Sequence, residues 1–145
     1  MKKQFLGAAK EVPGSKHLIT TDKGTTILLD CGMYQGKGME TDQANRELGF
    51  DPKDIHYLLL SHAHIDHSGL IPYIYSLGFR GKIYCTPATR DLCQLMLQDT
   101  AFIQEQDVRW YNKKMDRQNK PKIKPLFDMS DAQQVMKLFR TVDYD

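Results

Sequence analysis

The stretch Tyr57–Gly69, YLLLSHAHIDHSG, sets three of the chain's five histidines and one aspartate within six positions, directly after an apolar run. Tyr57–Leu60 is short, continuous and apolar, the pattern of a strand buried on both faces. A loop that leaves a rigid strand end holds its side chains in place with little ordering cost. Imidazole and carboxylate are donors suited to zinc. His62 and His64 are two apart and can point at one ion. Asp66 and His67 lie where the chain turns into a helix and can reach a second. Two ions about 3.5–4 Å apart share a water and clamp the attacking and leaving oxygens of a displacement. The competing reading, a polar first turn capped by Asp66 or Ser68, leaves the three imidazoles without a purpose.

The order of elements around this cluster points to a mixed sheet covered by helices. Lys3–Ala9 reads as a first strand and Pro13-Gly14 as a turn. His17–Thr20 and Thr25–Asp30 form a hairpin around Asp22-Lys23-Gly24. Cys31–Gly38, with three glycines, is a loop, and Thr41–Leu48 a short helix. Leu70–Leu77 is a helix with Pro72 in its first turn and Gly78 at its exit. Lys82–Cys85 is a strand. Thr89 to about Met115 is helical with a break midway, Asn119–Pro125 is a linker, and Ser130–Phe139 is a last helix with Ser130 and Gln133 as its capping box.

Composition restricts partners and compartment more than chemistry. A net charge of +2 gives no global affinity for polyanions. Cys31, Cys85 and Cys93 are odd in number and form no CxxC pair, as in a reduced, cytoplasmic protein. Lys2 and Lys3 precede an apolar stretch too short for a signal peptide. No run approaches the ~18 apolar residues of a membrane span. The expected location is the cytoplasm.

The motif LLLSHAHIDHSG resembles the signature of the metallo-β-lactamase superfamily. Thr26–Gly36, TILLDCGMYQG, is similar to that family's preceding strand and loop, with Asp30 at its first acidic motif. Gly7–Leu18, GAAKEVPGSKHL, resembles the opening of bacterial members of the β-CASP branch, and KIYCTPAT fits as well. The resemblance implies an α/β (α+β) chain, the N-terminal half of an αββα sandwich. It implies two zinc ions, His62 and His64 on the first, Asp66 and His67 on the second. Asp66 and Asp30 are the candidate catalytic carboxylates, Asp30 as the acceptor that fixes a ligand imidazole; the plainer reading of Asp30 is a turn residue after a strand. The implied function is hydrolysis of RNA phosphodiesters through a metal-bound hydroxide.

The family completes its site with a further His, a bridging Asp and a last His. This chain has no histidine after His67. His17 and His56 lie upstream, His17 as a structural or near-site residue and His56 as an exposed loop residue. Four ligands over two ions are too few for stable sites. Residues 1–145 are therefore expected to be the N-terminal part of a longer enzyme, binding zinc weakly or not at all on their own. Half of a sandwich would also expose sheet surface and invite self-association.

Arg109–Lys124, RWYNKKMDRQNKPKIK, holds seven Lys/Arg against one Asp, with Trp110 and Tyr111 alongside. Arg109, Lys113, Lys114 and Arg117 are candidates for tracking an RNA backbone; the plainer reading is a solvated helix face. Two further functions compete with an RNA hydrolase: a thioester or lactone hydrolase of the same superfamily, and a metal-free binding module.

Overall fold

The structure is a computed structural model that describes residues 1–7, 14–36 and 39–144. The expected positions Ala8, Ala9, Pro13, Lys37 and Gly38 lie outside the described residues. Six strands form one sheet in sequence order: β1 (Lys2–Gly7), β2 (Lys16–Thr20), β3 (Thr26–Leu29), β4 (Tyr57–Leu59), β5 (Lys82–Cys85) and β6 (Phe139–Thr141). β1, β2 and β3 pair antiparallel. β3 through β6 pair parallel, as crossovers through helices require. The hairpin turn at Gly24 has φ 85, a conformation that glycine adopts without cost.

The helices are α1 (Met39–Arg46), α2 (Ile65–Ser68), α3 (Ile71–Ser76), α4 (Pro87–Arg117) and α5 (Met129–Gln134). The core lies between one face of the sheet and this helical layer. Leu28, Leu58 and Ile83 occupy one cross-strand row of β3, β4 and β5 and are fully buried. Ile71, Ile74, Cys93, Leu97 and Ala101 of α3 and α4 belong to the same cluster.

Several expectations need correction. β4 is covered on one face only: Leu58 is buried, whereas Tyr57 and Leu59 are 39% and 42% exposed. The row Phe5, His17, Leu29, Leu59, Tyr84 crosses the uncovered face, which agrees with the expected exposed sheet surface. α4 runs through 31 residues without the expected break, since no Gly or Pro interrupts it after Pro87. The last helix stops early. α5 ends at Gln134, Val135–Leu138 tightens into a 3₁₀ turn, and Phe139 begins β6. Its capping box uses Asp128 and Asp131 in place of Ser130 and Gln133. Asn119–Pro125 is pinned to α4 rather than free, because the Asn112 side chain bonds both backbone groups of Ile123.

Candidate metal centre

Asp30 ends β3 with φ 58, a left-handed conformation that Asp tolerates better than most residues. Its backbone N–H still donates to the Leu59 carbonyl at 3.0 Å, so β3 and β4 stay in register while the carboxylate turns toward the loop after β4. It accepts three hydrogen bonds there: from Ser61 N–H at 2.7 Å, from Ser61 Oγ at 2.8 Å and from His67 Nδ1 at 2.7 Å. Ser61 Oγ also lies 2.9 Å from His62 Nδ1.

These contacts fix both imidazoles. A carboxylate only accepts, so His67 carries its proton on Nδ1. The Ser61 hydroxyl hydrogen is committed to Asp30, which leaves a lone pair of Oγ to accept from His62 Nδ1–H. Both rings therefore keep Nε2 free as a donor to a metal. One buried carboxylate orients one ligand directly and the other through a serine. Sequence reasoning found Asp30 and missed Ser61; the signal was a hydroxyl next to the first histidine of the motif.

Backbone contacts hold the loop on the sheet. Ser15 N–H donates to Asp66 O at 3.0 Å, Cys31 N–H to His67 O at 2.8 Å, and Met33 N–H to Ile65 O at 3.0 Å. A Cβ at Gly32 would stand 1.6 Å from the Asp66 carbonyl oxygen, so this approach is open to glycine alone. Lys16, buried beneath, donates through Nζ to the carbonyls of Gly14 and Gly32 at 3.2 and 3.1 Å. Burial lowers its pKa against the opposing pull of Cys31. Asp66 is not a helix cap, and the Ser68 hydroxyl donates back to Ala63 O and His64 O; the capping alternative thus fails for both residues.

His62, Asp66 and His67 converge, with one ligand atom from each lying within 4.8 Å of the others. His64 stands outside this group, its ring edge-on to His62 at 4.9 Å. The resemblance had paired His62 with His64. His67 Nε2 and Asp66 Oδ2 are 3.5 Å apart, long for a hydrogen bond. Two atoms each about 2.1 Å from a tetrahedral zinc lie about 3.4 Å from one another. Two imidazoles and a carboxylate at this spacing fit the metal that the family implies.

The remaining candidates lie elsewhere. His17 packs edge-on against Phe5 on the open sheet face, and His56 Nδ1 accepts from Thr26 N–H at 3.0 Å. Arg109, Lys113, Lys114 and Arg117 sit on the C-terminal third of α4, with Lys114 Nζ 5.6 Å from the Trp110 ring centroid. All three cysteines are free and buried. No helix among the described residues is long and apolar enough to cross a membrane.

Residues 10–133 match the family model of the metallo-β-lactamase superfamily. The chain is 44% identical over 100 residues to "Ribonuclease TTHA0252" of Thermus thermophilus, covering 69% of this chain and 22% of that protein. It is 33% identical over 149 residues to "Transcription termination factor FttA" of Thermococcus kodakarensis, covering 96% of this chain and 20% of that protein. It is 37% identical over 100 residues to "Endoribonuclease ysh1" of Aspergillus fumigatus, covering 68% of this chain and 11% of that protein. The chain thus spans about a fifth or less of the length of these relatives. Among solved structures, a metallo-β-lactamase of Cronobacter sakazakii superposes with a TM-score of 0.46 at 26% identity, over 62% of this chain and 32% of that one.

Proposed function

This chain belongs to the metallo-β-lactamase superfamily, in its β-CASP branch, and from that premise we propose that it is the metal-binding portion of a zinc-dependent ribonuclease. The observation that carries the reading is the convergence of His62, Asp66 and His67, two of them oriented by Asp30. Bound there, zinc ions supply Lewis acidity toward a phosphate oxygen and lower the pKa of water toward ~7.

The chain's own residues do the rest. His62 and His67 offer Nε2, and Asp66 offers a carboxylate oxygen. Asp30 and Ser61 hold the imidazole protons on Nδ1. Gly32, Ser15 and Met33 fix the height of the loop over the sheet. His64 contributes a further donor from the same loop. In this reading Asp66 would act at the metal as a ligand, and Asp30 acts through His67 and Ser61 as a positioning residue. The assignment of RNA as substrate rests on relatives named ribonuclease and endoribonuclease. The basic residues of α4 are secondary support. A cytoplasmic setting follows from the same reading.

The test uses the intact protein that carries this chain, purified with and without added zinc, against labelled single-stranded RNA and against a thioester. Zinc-dependent RNA cleavage, lost in Asp66→Asn and His67→Ala, supports the proposal. Thioester turnover without RNA cleavage would move the activity to the other branch of the superfamily. A protein that carries no zinc and cuts nothing would leave a binding module.

A further inference from the structure

β2 carries an ammonium group where the strand pattern calls for hydrocarbon. Strand side chains alternate between faces, so Lys16 shares the core face of β2 with Leu18, while His17 stands on the open face. Lys16 is 1% exposed. Burying an ammonium costs free energy unless its donors are matched. Its three donors meet the carbonyls of Gly14 and Gly32 at 3.2 and 3.1 Å and the face of the Tyr34 ring, whose centroid lies 5.0 Å from Nζ. The flexible, apolar stem of a methionine would fill this position without that cost. The donors, not the stem, therefore explain the lysine.

The two carbonyls belong to the two backbone segments on which the metal-ligand loop rests. Ser15, next to Gly14, donates its N–H to Asp66 O at 3.0 Å; Met33, next to Gly32, donates to Ile65 O at 3.0 Å. The Asp66 carbonyl sits in the corner between the segments, bonded to Ser15 on one side and pressed against Gly32 on the other, where a Cβ would stand 1.6 Å away. Each segment has its own anchor. Residues 14–16 run into β2, whereas Tyr34 is held to α1 by the Asn45 side chain, through its N–H at 2.7 Å and its carbonyl at 3.0 Å. If the segments part, Asp66 can follow only one of them. We propose that Lys16 is a positioning residue of the metal centre: its ammonium clamps segments 14–16 and 31–34 together and so fixes Asp66 relative to His62 and His67. The inference rests on the metal-binding reading above and divides the support of the site. Asp30 and Ser61 orient the imidazoles through side chains; Lys16 sets the carboxylate through the backbone.

The test replaces Lys16 by methionine in the intact protein. Amide hydrogen exchange without metal reads the clamp: the Ser15 and Met33 amides should exchange about tenfold faster or more, with those of β4 and β5 unchanged. Zinc affinity, measured by chelator competition, should fall about tenfold. Cobalt bound in place of zinc has visible bands that follow coordination geometry, and these should shift. Val135→Ala is the control. It opens the core beside β6, four strands from β2, and should lower the melting temperature while leaving the cobalt spectrum as in wild type. Lys16→Gln keeps two N–H donors on a stem one bond shorter and should fall between lysine and methionine in every readout; it carries the test if the methionine variant does not fold. Wild-type exchange and a wild-type cobalt spectrum in Lys16→Met would overturn the proposal, as would the same spectral shift in Val135→Ala. Faster exchange in Lys16→Met, with no metal bound by the wild type, would keep the clamp and overturn the metal-binding reading on which its role depends.

Discussion

Replacing Asp30 by asparagine reverses the donor pattern that holds the metal ligands. The carboxylate accepts three hydrogen bonds, two of them from the Ser61 hydroxyl and His67. The asparagine amide has one acceptor oxygen. If that oxygen keeps Ser61 N–H, its NH₂ group faces two other donors. His67 relieves the clash by moving its proton to Nε2, which removes the lone pair offered to the metal. A hydrogen bond to a charged group contributes about 1.5–3 kcal/mol. Loss of an outer partner of a metal-bound histidine typically costs 10–100-fold in affinity, or about 1.4–2.7 kcal/mol. The two ranges agree, so Asp30→Asn should weaken zinc binding by about 30–100-fold. Ser61→Ala removes the hydroxyl's bonds to Asp30 and His62 but leaves the Asp30–His67 bond in place, and should cost about tenfold or less. Ser61→Thr keeps the hydroxyl at an exposed position and should bind within about twofold of wild type. Competition with a chromogenic chelator, on the intact protein, measures all three. Wild-type affinity in Asp30→Asn, or Ser61→Thr as weak as Ser61→Ala, would refute the orienting role.

Three further outcomes are expected. Gly32→Ala forces the Asp66 carbonyl away from a Cβ that would stand 1.6 Å from it; thermal melting should show a loss of about 3 kcal/mol, and zinc affinity should fall with it. Leu58→Ala empties the fully buried centre of β4 and should cost about 2–5 kcal/mol in urea unfolding. Burial pushes the Cys31 and Cys93 thiols up to about 12 from 9.0, so the fold keeps two protons that the unfolded chain releases. Their contribution is complete below pH 9 and declines above it by about 1.4 kcal/mol per pH unit for each thiol. Replacing both by alanine should flatten the alkaline limb of a stability–pH curve.

What the sequence carried was mostly local chemistry, and what it hid was mostly pairing over distance. HAHIDH names its own donors, and His62, Asp66 and His67 do meet. YLLL was read as a doubly covered strand, but an apolar run states only that both faces are apolar. These residues cover the Leu58 face and leave Tyr57 and Leu59 open. β6 left no trace because three residues, Phe139–Thr141, become a strand only by lying parallel to β5. The capping box slipped by two residues because Ser130/Gln133 and Asp128/Asp131 both satisfy the spacing. The choice between them belongs to the linker that α4 holds down through Asn112.

Ser61 shows the same division inside the site. A serine before a histidine means little until Asp30, 31 positions earlier, is placed beside it. The parallel register Leu29↔Leu59 does this, since Asp30 and Ser61 each leave their strands just beyond it. A slip of one residue between β3 and β4 would turn the carboxylate to the other face of the sheet. The metal centre therefore depends on the packing of Leu28 against Leu58 as much as on its ligands. That dependence predicts that Leu58→Ala should weaken zinc binding even at temperatures where the protein remains folded.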